Sequence, residues 1–139
     1  MENYSPFFSL IVPTYNRADR ILKTIQSALN QTYSNFEILI IDDGSTDNTQ
    51  EVIKSIQDPR VHYIYQENKE RGAARNTGIR EAKGYYITFL DSDDVLLPYH
   101  FETVFFQLKK YNFPAVYHQP FSEISEDGRI ISKTNVPKV

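Results

Sequence analysis

The sequence predicts an α/β fold in which a mostly parallel β-sheet is flanked by helices. Short apolar runs alternate with stretches whose apolar residues recur at the spacing of one helical face. Parallel neighbours need crossover connections, so strands separated by helices of about a dozen residues favour a parallel sheet. Three of the apolar runs lead directly into polar clusters, and open α/β sheets bind ligands beyond the carboxyl ends of their strands.

The first strand and helix follow from apolar spacing. Residues 8–12 form an apolar run closed by Pro13, which predicts a strand buried on both faces. Residues 18–30 then predict an amphipathic helix, with Asn16 or Asp19 as its cap. The apolar face of this helix would consist of Ile21, Leu22, Ile25, Ala28 and Leu29.

The next three elements complete a βαβαβ pattern. Residues 36–41 predict a second buried strand, followed by a helix that carries Val52, Ile53 and Ile56 inward. Asp58-Pro59 would end this helix, because the residue before a proline is pushed out of the helical region. Residues 61–65 predict the third strand.

The second half of the chain continues the alternation. Residues 73–83 predict a helix that ends at Gly84, and residues 85–90 predict a fourth strand. Pro98 fits the first turn of a further helix, whose apolar face would be Phe101, Val104, Phe105 and Leu108.

The last elements are a fifth strand and a hairpin. Residues 115–118 form a short apolar run, which predicts the fifth strand. Residues 121–124 and 129–132 flank Asp127-Gly128, and that dipeptide is typical of a hairpin turn.

Length and composition indicate one domain and exclude several classes of partner. The 139 residues suffice for a substantial core, and no repeat or linker divides residues 1–139. The net charge of −3 and the absence of a basic run argue against nucleic-acid binding. The chain has no Cys, no signal-peptide pattern and no apolar run near the ~20 residues of a membrane span. We expect a cytoplasmic protein, with peripheral attachment to the inner face of a membrane left open.

The segment Asp91-Ser92-Asp93-Asp94 is the strongest candidate for a metal site. Three carboxylates within four residues repel one another in a half-buried turn unless a cation neutralises them. Oxygen ligands without Cys or a nearby His favour Mg²⁺ or Mn²⁺, which complete their shells with water and substrate phosphates. A solvated turn that caps the next helix is the alternative.

Two further clusters contain groups that suit a nucleotide. Asp42-Asp43 follows the second strand, and one carboxylate there could accept an N–H from a base edge, while Tyr15 offers a face for stacking. Arg71 and Arg75 lie where a helix opens, and their guanidinium groups suit a diphosphate. Ordinary turn chemistry, packing and surface ion pairs explain each of these clusters equally well in isolation.

Together these segments resemble family 2 of the glycosyltransferases, which have the GT-A fold. The resemblance covers nearly the whole chain, and four motifs occur in the right order. They read SLIVPTYNR, NQTYSNFEILIIDDGSTDNT, RGAARNTGIREAKGYYITFLDSDD and LLP. The resemblance implies an inverting enzyme of bacterial polysaccharide biosynthesis. Such an enzyme uses a nucleoside diphosphate sugar, commonly a UDP-sugar, with Mn²⁺ or Mg²⁺. The acceptor would be a carbohydrate or a lipid-linked molecule.

The resemblance also assigns roles to individual residues. Tyr15 would stack on the base and Asp43 would hold the base edge, in a pocket that Pro13, Thr14 and Ser92 complete. Asp91-Ser92-Asp93 matches the family's D-x-D motif, in which Asp93 binds the metal and Asp91 lies near the ribose and the metal shell. Arg75 would approach the diphosphate.

No residue of the chain is predicted to be the catalytic base. In this family the base is a carboxylate in the acceptor-binding half, well beyond the D-x-D motif. The acids after Glu102 are Glu123, Glu126 and Asp127, and their hairpin setting makes them poor candidates. We therefore expect a donor-binding domain that ends before the acceptor-binding half.

Three other functions fit parts of the pattern. A phospho-acceptor signalling domain also binds Mg²⁺ with acids at strand ends. Its pattern has an acid pair after the first strand and a lysine after the fifth, and this sequence has neither at those places. A nucleotidyltransferase would need a glycine-rich loop after the first strand, and residues 13–19 contain no glycine. A non-catalytic nucleotide-binding module stays open, because no catalytic base is assigned. The sequence does not specify the sugar or the acceptor.

Overall fold

The computed structural model describes residues 4–117, 122–125 and 127–133. The chain divides into two compact units, Met1–Phe105 and Phe106–Val139. None of the helices in the described ranges has the length and apolar character needed to span a bilayer.

The first unit is built on a four-stranded sheet, which confirms the predicted α/β class. Its strands are β1 (Phe8–Thr14), β2 (Phe36–Asp43), β3 (Val61–Gln66) and β4 (Tyr86–Phe89). They run in the order β3-β2-β1-β4, and every neighbouring pair is parallel. β1 and β2 are buried along their whole length, as expected of apolar runs that are covered on both faces.

The helices are α1 (Ile21–Leu29), α2 (Thr49–Lys54), α3 (Glu70–Glu81) and α4 (His100–Lys110). Right-handed crossovers that run outward from β1 to β2 and β3 place α1 and α2 on the same face, and these two helices are in contact. The crossover from β3 to β4 returns across the sheet, so α3 covers the opposite face and packs on β1 and β2. The strand order therefore reverses next to β1, and the carboxyl end of β1 lies at this switch point.

A small apolar cluster holds α3 against the sheet. Its buried members are Ile11, Leu39, Ile41 and Ala74. Gly78 allows this close approach, because a Cβ atom at that position would lie 2.4 Å from Cγ2 of Ile11. This packing sets the position of α3 relative to the carboxyl ends of β1 and β2.

Two predicted helix starts differ from the structure. α1 begins at Ile21 and has no side-chain cap, so neither Asn16 nor Asp19 caps it. The Asn16 side chain instead accepts hydrogen bonds from the backbone of residues 46 and 47, and Asp19 pairs with Arg20. α3 begins at Glu70, one turn before the predicted residue 73, although glycine and arginine dominate that turn.

The second unit contains the end of α4 and a two-stranded antiparallel hairpin, which was predicted. Its strands are β5 (Ser122–Ile124) and β6 (Ile130–Lys133), and Gly128 has a φ of 84° in the turn. The predicted fifth strand at residues 115–118 is wrong over 115–117, and residue 118 lies outside the described residues. Extended backbone becomes a strand only when a ladder partner is present, and residues 115–117 form no ladder with any described strand.

Candidate functional site

The carboxyl ends of β1 and β2, the segment after β4 and the start of α3 surround a cavity of about 420 Å³. Five residues predicted for a site line it: Pro13, Thr14, Tyr15, Asp43 and Ser92. Arg71, which the sequence offered as a group for a diphosphate, also lines it, together with four residues that were not assigned to a site: Arg17, Asn68, Glu70 and Ala74. The structure thus brings the polar clusters after three strands together, as expected for a cleft at the switch point of an open sheet.

Asp43 is the buried carboxylate of this cavity. Its side chain is 4% exposed, and its Oδ1 accepts hydrogen bonds from Nε2 of Gln66 at 2.7 Å and from the backbone N–H of Lys69 at 3.0 Å. Among the described residues, no group donates a hydrogen bond to Oδ2 of Asp43. The carboxylate is therefore held firmly by one oxygen, while the other is left for a ligand.

Asp42, its neighbour in the sequence, has a different role. Its Oδ1 accepts from the backbone N–H of Ser45 at 2.8 Å, and its Oδ2 accepts from the hydroxyl of Tyr63 at 2.7 Å. Burial and the hydrogen bond to Asp42 raise the pKa of Tyr63, so that hydroxyl stays protonated and continues to donate. Successive residues of a strand point in opposite directions, and only Asp43 of this pair lines the cavity.

The loop after β1 is fixed in a way that presents Tyr15. Asn16 has a φ of 50°, and its Oδ1 accepts from the backbone N–H groups of Thr46 and Asp47 at 2.8 and 3.3 Å. The backbone N–H of Arg17 donates to Oγ1 of Thr49 at 2.9 Å. Tyr15 stays 46% exposed on this braced loop, so one face of its ring is available to a ligand.

Two buried side-chain atoms lack hydrogen-bond partners among the described residues, and one of them belongs to Thr14, which lines the cavity. Oγ1 of Thr14 and Nε of Arg75 have no hydrogen bond. The Arg75 guanidinium lies over the ring of Phe89, and its Nη2 is 2.9 Å from Oδ1 of Asp91. Buried polar atoms in native proteins are normally paired, so the unpartnered hydroxyl of Thr14 at the cavity wall is a candidate contact for a ligand.

The acids after β4 form a strongly negative turn. Burial raises the pKa of Asp94, and the charges of Asp93 and Asp91 raise it further. Nη2 of Arg17 lies 3.9 Å from Oδ2 of Asp93. At this distance the guanidinium offsets the negative charge of the turn only weakly. The turn is tied to α1, because Oγ1 of Thr24 donates to the backbone carbonyl of Ser92 at 3.1 Å.

The structure does not bring every predicted site residue to the wall of the cavity. Arg75, Asp91 and Asp93 are not among its lining residues, although Asp91 and Asp93 flank Ser92, which is. Of the acids considered as a base, Asp127 is paired with Arg129 and Ser125, and Glu126 lies outside the described residues. Asn68 reaches the cavity from the loop between β3 and α3, and Arg71 reaches it from the first turn of α3; both lie far from β1 in sequence.

The strand order and the cleft at the carboxyl ends of the strands define the class: the chain is an α/β domain with the GT-A fold. It belongs to glycosyl transferase family 2, whose profile matches residues 9–137. This confirms the resemblance seen in the four sequence motifs.

Individual relatives give the same picture. The chain is 39% identical to the chondroitin synthase of Escherichia coli over 91% of its own length and 19% of that protein. The crystal structure of S. aureus TarS 1–349 in complex with UDP-GlcNAc matches 76% of this chain and 32% of that one, with 27% identity and a TM-score of 0.73. The mannosyltransferase PcManGT from Pyrobaculum calidifontis, in complex with GDP-Man and Mn²⁺, matches 67% of this chain and 29% of that one, with 28% identity and a TM-score of 0.62.

The chain spans less than half of the length of curated relatives such as this chondroitin synthase (19%) and the glycosyltransferase GlyG of Streptococcus pneumoniae (42%).

Proposed function

We propose that the cavity binds a nucleoside diphosphate sugar, with a UDP-sugar as the preferred donor. In the whole protein, the sugar is transferred to an acceptor hydroxyl with inversion and with the help of a divalent cation. The observation that carries this proposal is the cavity itself. It combines a buried carboxylate with one open oxygen, an exposed aromatic ring and the buried hydroxyl of Thr14, which lacks a partner among the described residues.

Asp43 and Tyr15 form the end of the cavity that suits a base. The open Oδ2 of Asp43 can only accept a hydrogen bond, so it suits the ring N–H of uracil. The exposed ring of Tyr15 offers a stacking face, which contributes about 1–3 kcal/mol for a nucleobase. The complexes of TarS with UDP and with UDP-GlcNAc support this choice of nucleotide.

The arginines and small polar groups suit the ribose and the diphosphate. Arg17 and Arg71 line the cavity, and Arg75, which pairs with Asp91 after β4, has one buried N–H without a partner among the described residues. Guanidinium groups hold phosphates through paired, charge-assisted hydrogen bonds. We propose that Oγ1 of Thr14 donates to an oxygen of the ligand, because this hydroxyl has no other partner among the described residues.

The donor set after β4 fits a divalent metal that binds together with the nucleotide. Among the described residues, no group of three or more His, Cys, Asp and Glu side chains could hold a metal by itself. Asp93 and Asp91 supply hard oxygen ligands, and Mg²⁺ and Mn²⁺ accept one or two carboxylates when water and phosphates complete the shell. A bound cation would neutralise the charge that develops on the departing diphosphate.

The reaction that fits such a site is a direct displacement at the anomeric carbon. The acceptor oxygen forms a bond to that carbon while the bond to the diphosphate oxygen breaks, and a base takes the proton of the acceptor hydroxyl. In this proposal the residues of this chain hold the nucleobase and the diphosphate, so they orient the leaving group opposite the attacking oxygen. The general base and the acceptor site belong to the acceptor-binding half of the whole protein.

Calorimetric titration with UDP, GDP, CDP and dTDP, each with and without Mn²⁺, tests the proposal on the 139-residue chain. We expect UDP to bind in the presence of Mn²⁺. Asp93→Ala should abolish the metal-dependent part of the binding, and Asp43→Asn should weaken UDP by roughly tenfold or more, since a hydrogen bond to a charged group contributes about 1.5–3 kcal/mol.

Asp127→Ala is the matched control, because Asp127 is an exposed acid of the hairpin that pairs with Arg129. This variant should bind UDP as the parent chain does. If no nucleotide binds, or if binding is indifferent to metal and to Asp93, the proposed donor site is wrong.

A further inference from the structure

A chain of hydrogen bonds connects Asp43 to side chains of α3. Nε2 of Gln66, the last residue of β3, donates to Oδ1 of Asp43 at 2.7 Å. Oε1 of the same amide accepts from the hydroxyl of Thr77 in α3 at 2.6 Å. Thr77 in turn accepts from Nη2 of Arg80 at 2.9 Å.

These contacts fix the orientation of the Gln66 amide. A carboxylate accepts hydrogen bonds and cannot donate them, so the group that faces Asp43 must be the NH₂ of Gln66. The Thr77 hydroxyl accepts a hydrogen bond from Arg80 and donates its own O–H to Oε1 of Gln66. Both ends of the amide are satisfied, and a flip of the amide would place its oxygen against the carboxylate.

The consequence for Asp43 is that one of its two oxygens is occupied. Oδ1 already accepts from Gln66 and from the backbone of Lys69, whereas Oδ2 accepts from no described residue. A ligand with one N–H at its edge matches a single open oxygen. A ligand with two adjacent donors, which binds a carboxylate through both oxygens, finds Oδ1 taken.

We propose that Gln66 and Thr77 are positioning residues that restrict Asp43 to one acceptor and so select the base. This inference rests on the proposed function, because it requires that Asp43 holds the base edge. Uracil and thymine present one ring N–H between two carbonyl groups, and this edge fits the single acceptor. Guanine presents a ring N–H beside an amino group, and cytosine presents an unprotonated ring nitrogen, so both fit less well.

The test compares the affinities of UDP, GDP and inorganic pyrophosphate, each with Mn²⁺, by calorimetry. Gln66→Met keeps the length of the side chain but removes its donor. It should weaken UDP roughly tenfold and reduce the preference for UDP over GDP by about fivefold, while pyrophosphate binding stays within about twofold. Thr77→Val should change the same quantities in the same direction by about threefold.

Thr77→Ser is the matched control, because it retains the hydroxyl that orients Gln66, and it should behave as the parent chain. If the parent chain binds UDP through Asp43 but Gln66→Met retains both the affinity and the preference over GDP, this inference fails and the proposed function stands. If Gln66→Met loses UDP and pyrophosphate equally, Gln66 supports the fold and does not select the base. If the parent chain binds no nucleotide, the inference and the proposed function fail together.

Discussion

Replacing Gly78 by alanine should destabilise the protein, although alanine is the better helix former. The added Cβ would lie 2.4 Å from Cγ2 and 3.1 Å from Cδ1 of Ile11, a side chain with no exposed surface. Non-bonded carbon atoms pack at about 3.5–4.0 Å, so α3 must move by roughly 1 Å or Ile11 must change its rotamer. Overpacking of this kind costs about 1–3 kcal/mol, and the gain in helix propensity offsets up to about 1 kcal/mol.

We therefore expect the free energy of unfolding of Gly78→Ala to fall by about 1–2 kcal/mol. Gly72→Ala is a control in the same helix, because no atom lies within 4 Å of a Cβ built there. It should raise the free energy of unfolding by about 0.5–1 kcal/mol. Urea titrations followed by the far-ultraviolet circular dichroism of each variant would measure both values.

The opposite signs make this comparison decisive. If Gly78→Ala is as stable as Gly72→Ala, the close packing of α3 on β1 is not as described. A shift of α3 would also displace Arg75, which lies one turn before Gly78, so Gly78→Ala should weaken UDP binding while Gly72→Ala leaves it unchanged.

Two further predictions concern buried and paired acids. Tyr63→Phe removes a donor from Asp42, which is 1% exposed, and should lower the free energy of unfolding by about 1–3 kcal/mol in urea titrations. Tyr65→Phe, which changes an exposed ring, should alter it by less than about 0.5 kcal/mol, and equal losses for the two variants would contradict the role of Tyr63. Hydrogen bonds from Arg60 lower the pKa of Asp58 from 3.8 to about 2, so the pair stabilises the folded state above about pH 4 and loses this effect as the pH falls toward 2. Asp58→Asn should thus be less stable than the parent chain by about 1 kcal/mol at pH 7, and this difference should disappear as the pH falls through about 2; a difference that does not change with pH would refute this linkage.

The strands of the sheet were predictable where burial decides the pattern. Residues 8–12 and 36–41 are apolar at every position or nearly so, because helices cover both faces of the sheet there. The run at residues 115–118 has a similar composition, and the prediction of a strand failed over its described part. Composition indicates that a segment is able to extend, but a strand also needs a ladder partner, which is a long-range property.

The candidate site was predictable in part for a related reason. Parallel strands bring their carboxyl ends to one edge of the sheet, so the residues after β1 and β2 had to lie near each other. Asn68 and Gln66 lacked such a signal, because they belong to a loop and a strand end whose path depends on how α3 packs. The sequence also did not show that Asp43 lines the cavity while Asp42 is bonded within the fold, since this depends on which face of the sheet each side chain occupies at the end of β2.

By itself, the sequence determined the family, the α/β class and the chemistry collected at the strand ends, because apolar period and turn residues are local properties of the chain. The tertiary structure alone decided how that chemistry is arranged. The crossover back to β4 places the acidic turn of residues 91–94 beside β1. The close packing of α3 on Ile11 brings Thr77 within hydrogen-bond distance of Gln66. Gln66 then occupies one oxygen of Asp43 and leaves the other open. These contacts join residues that are distant in sequence, so their geometry is set by packing and strand register, which no local pattern specifies.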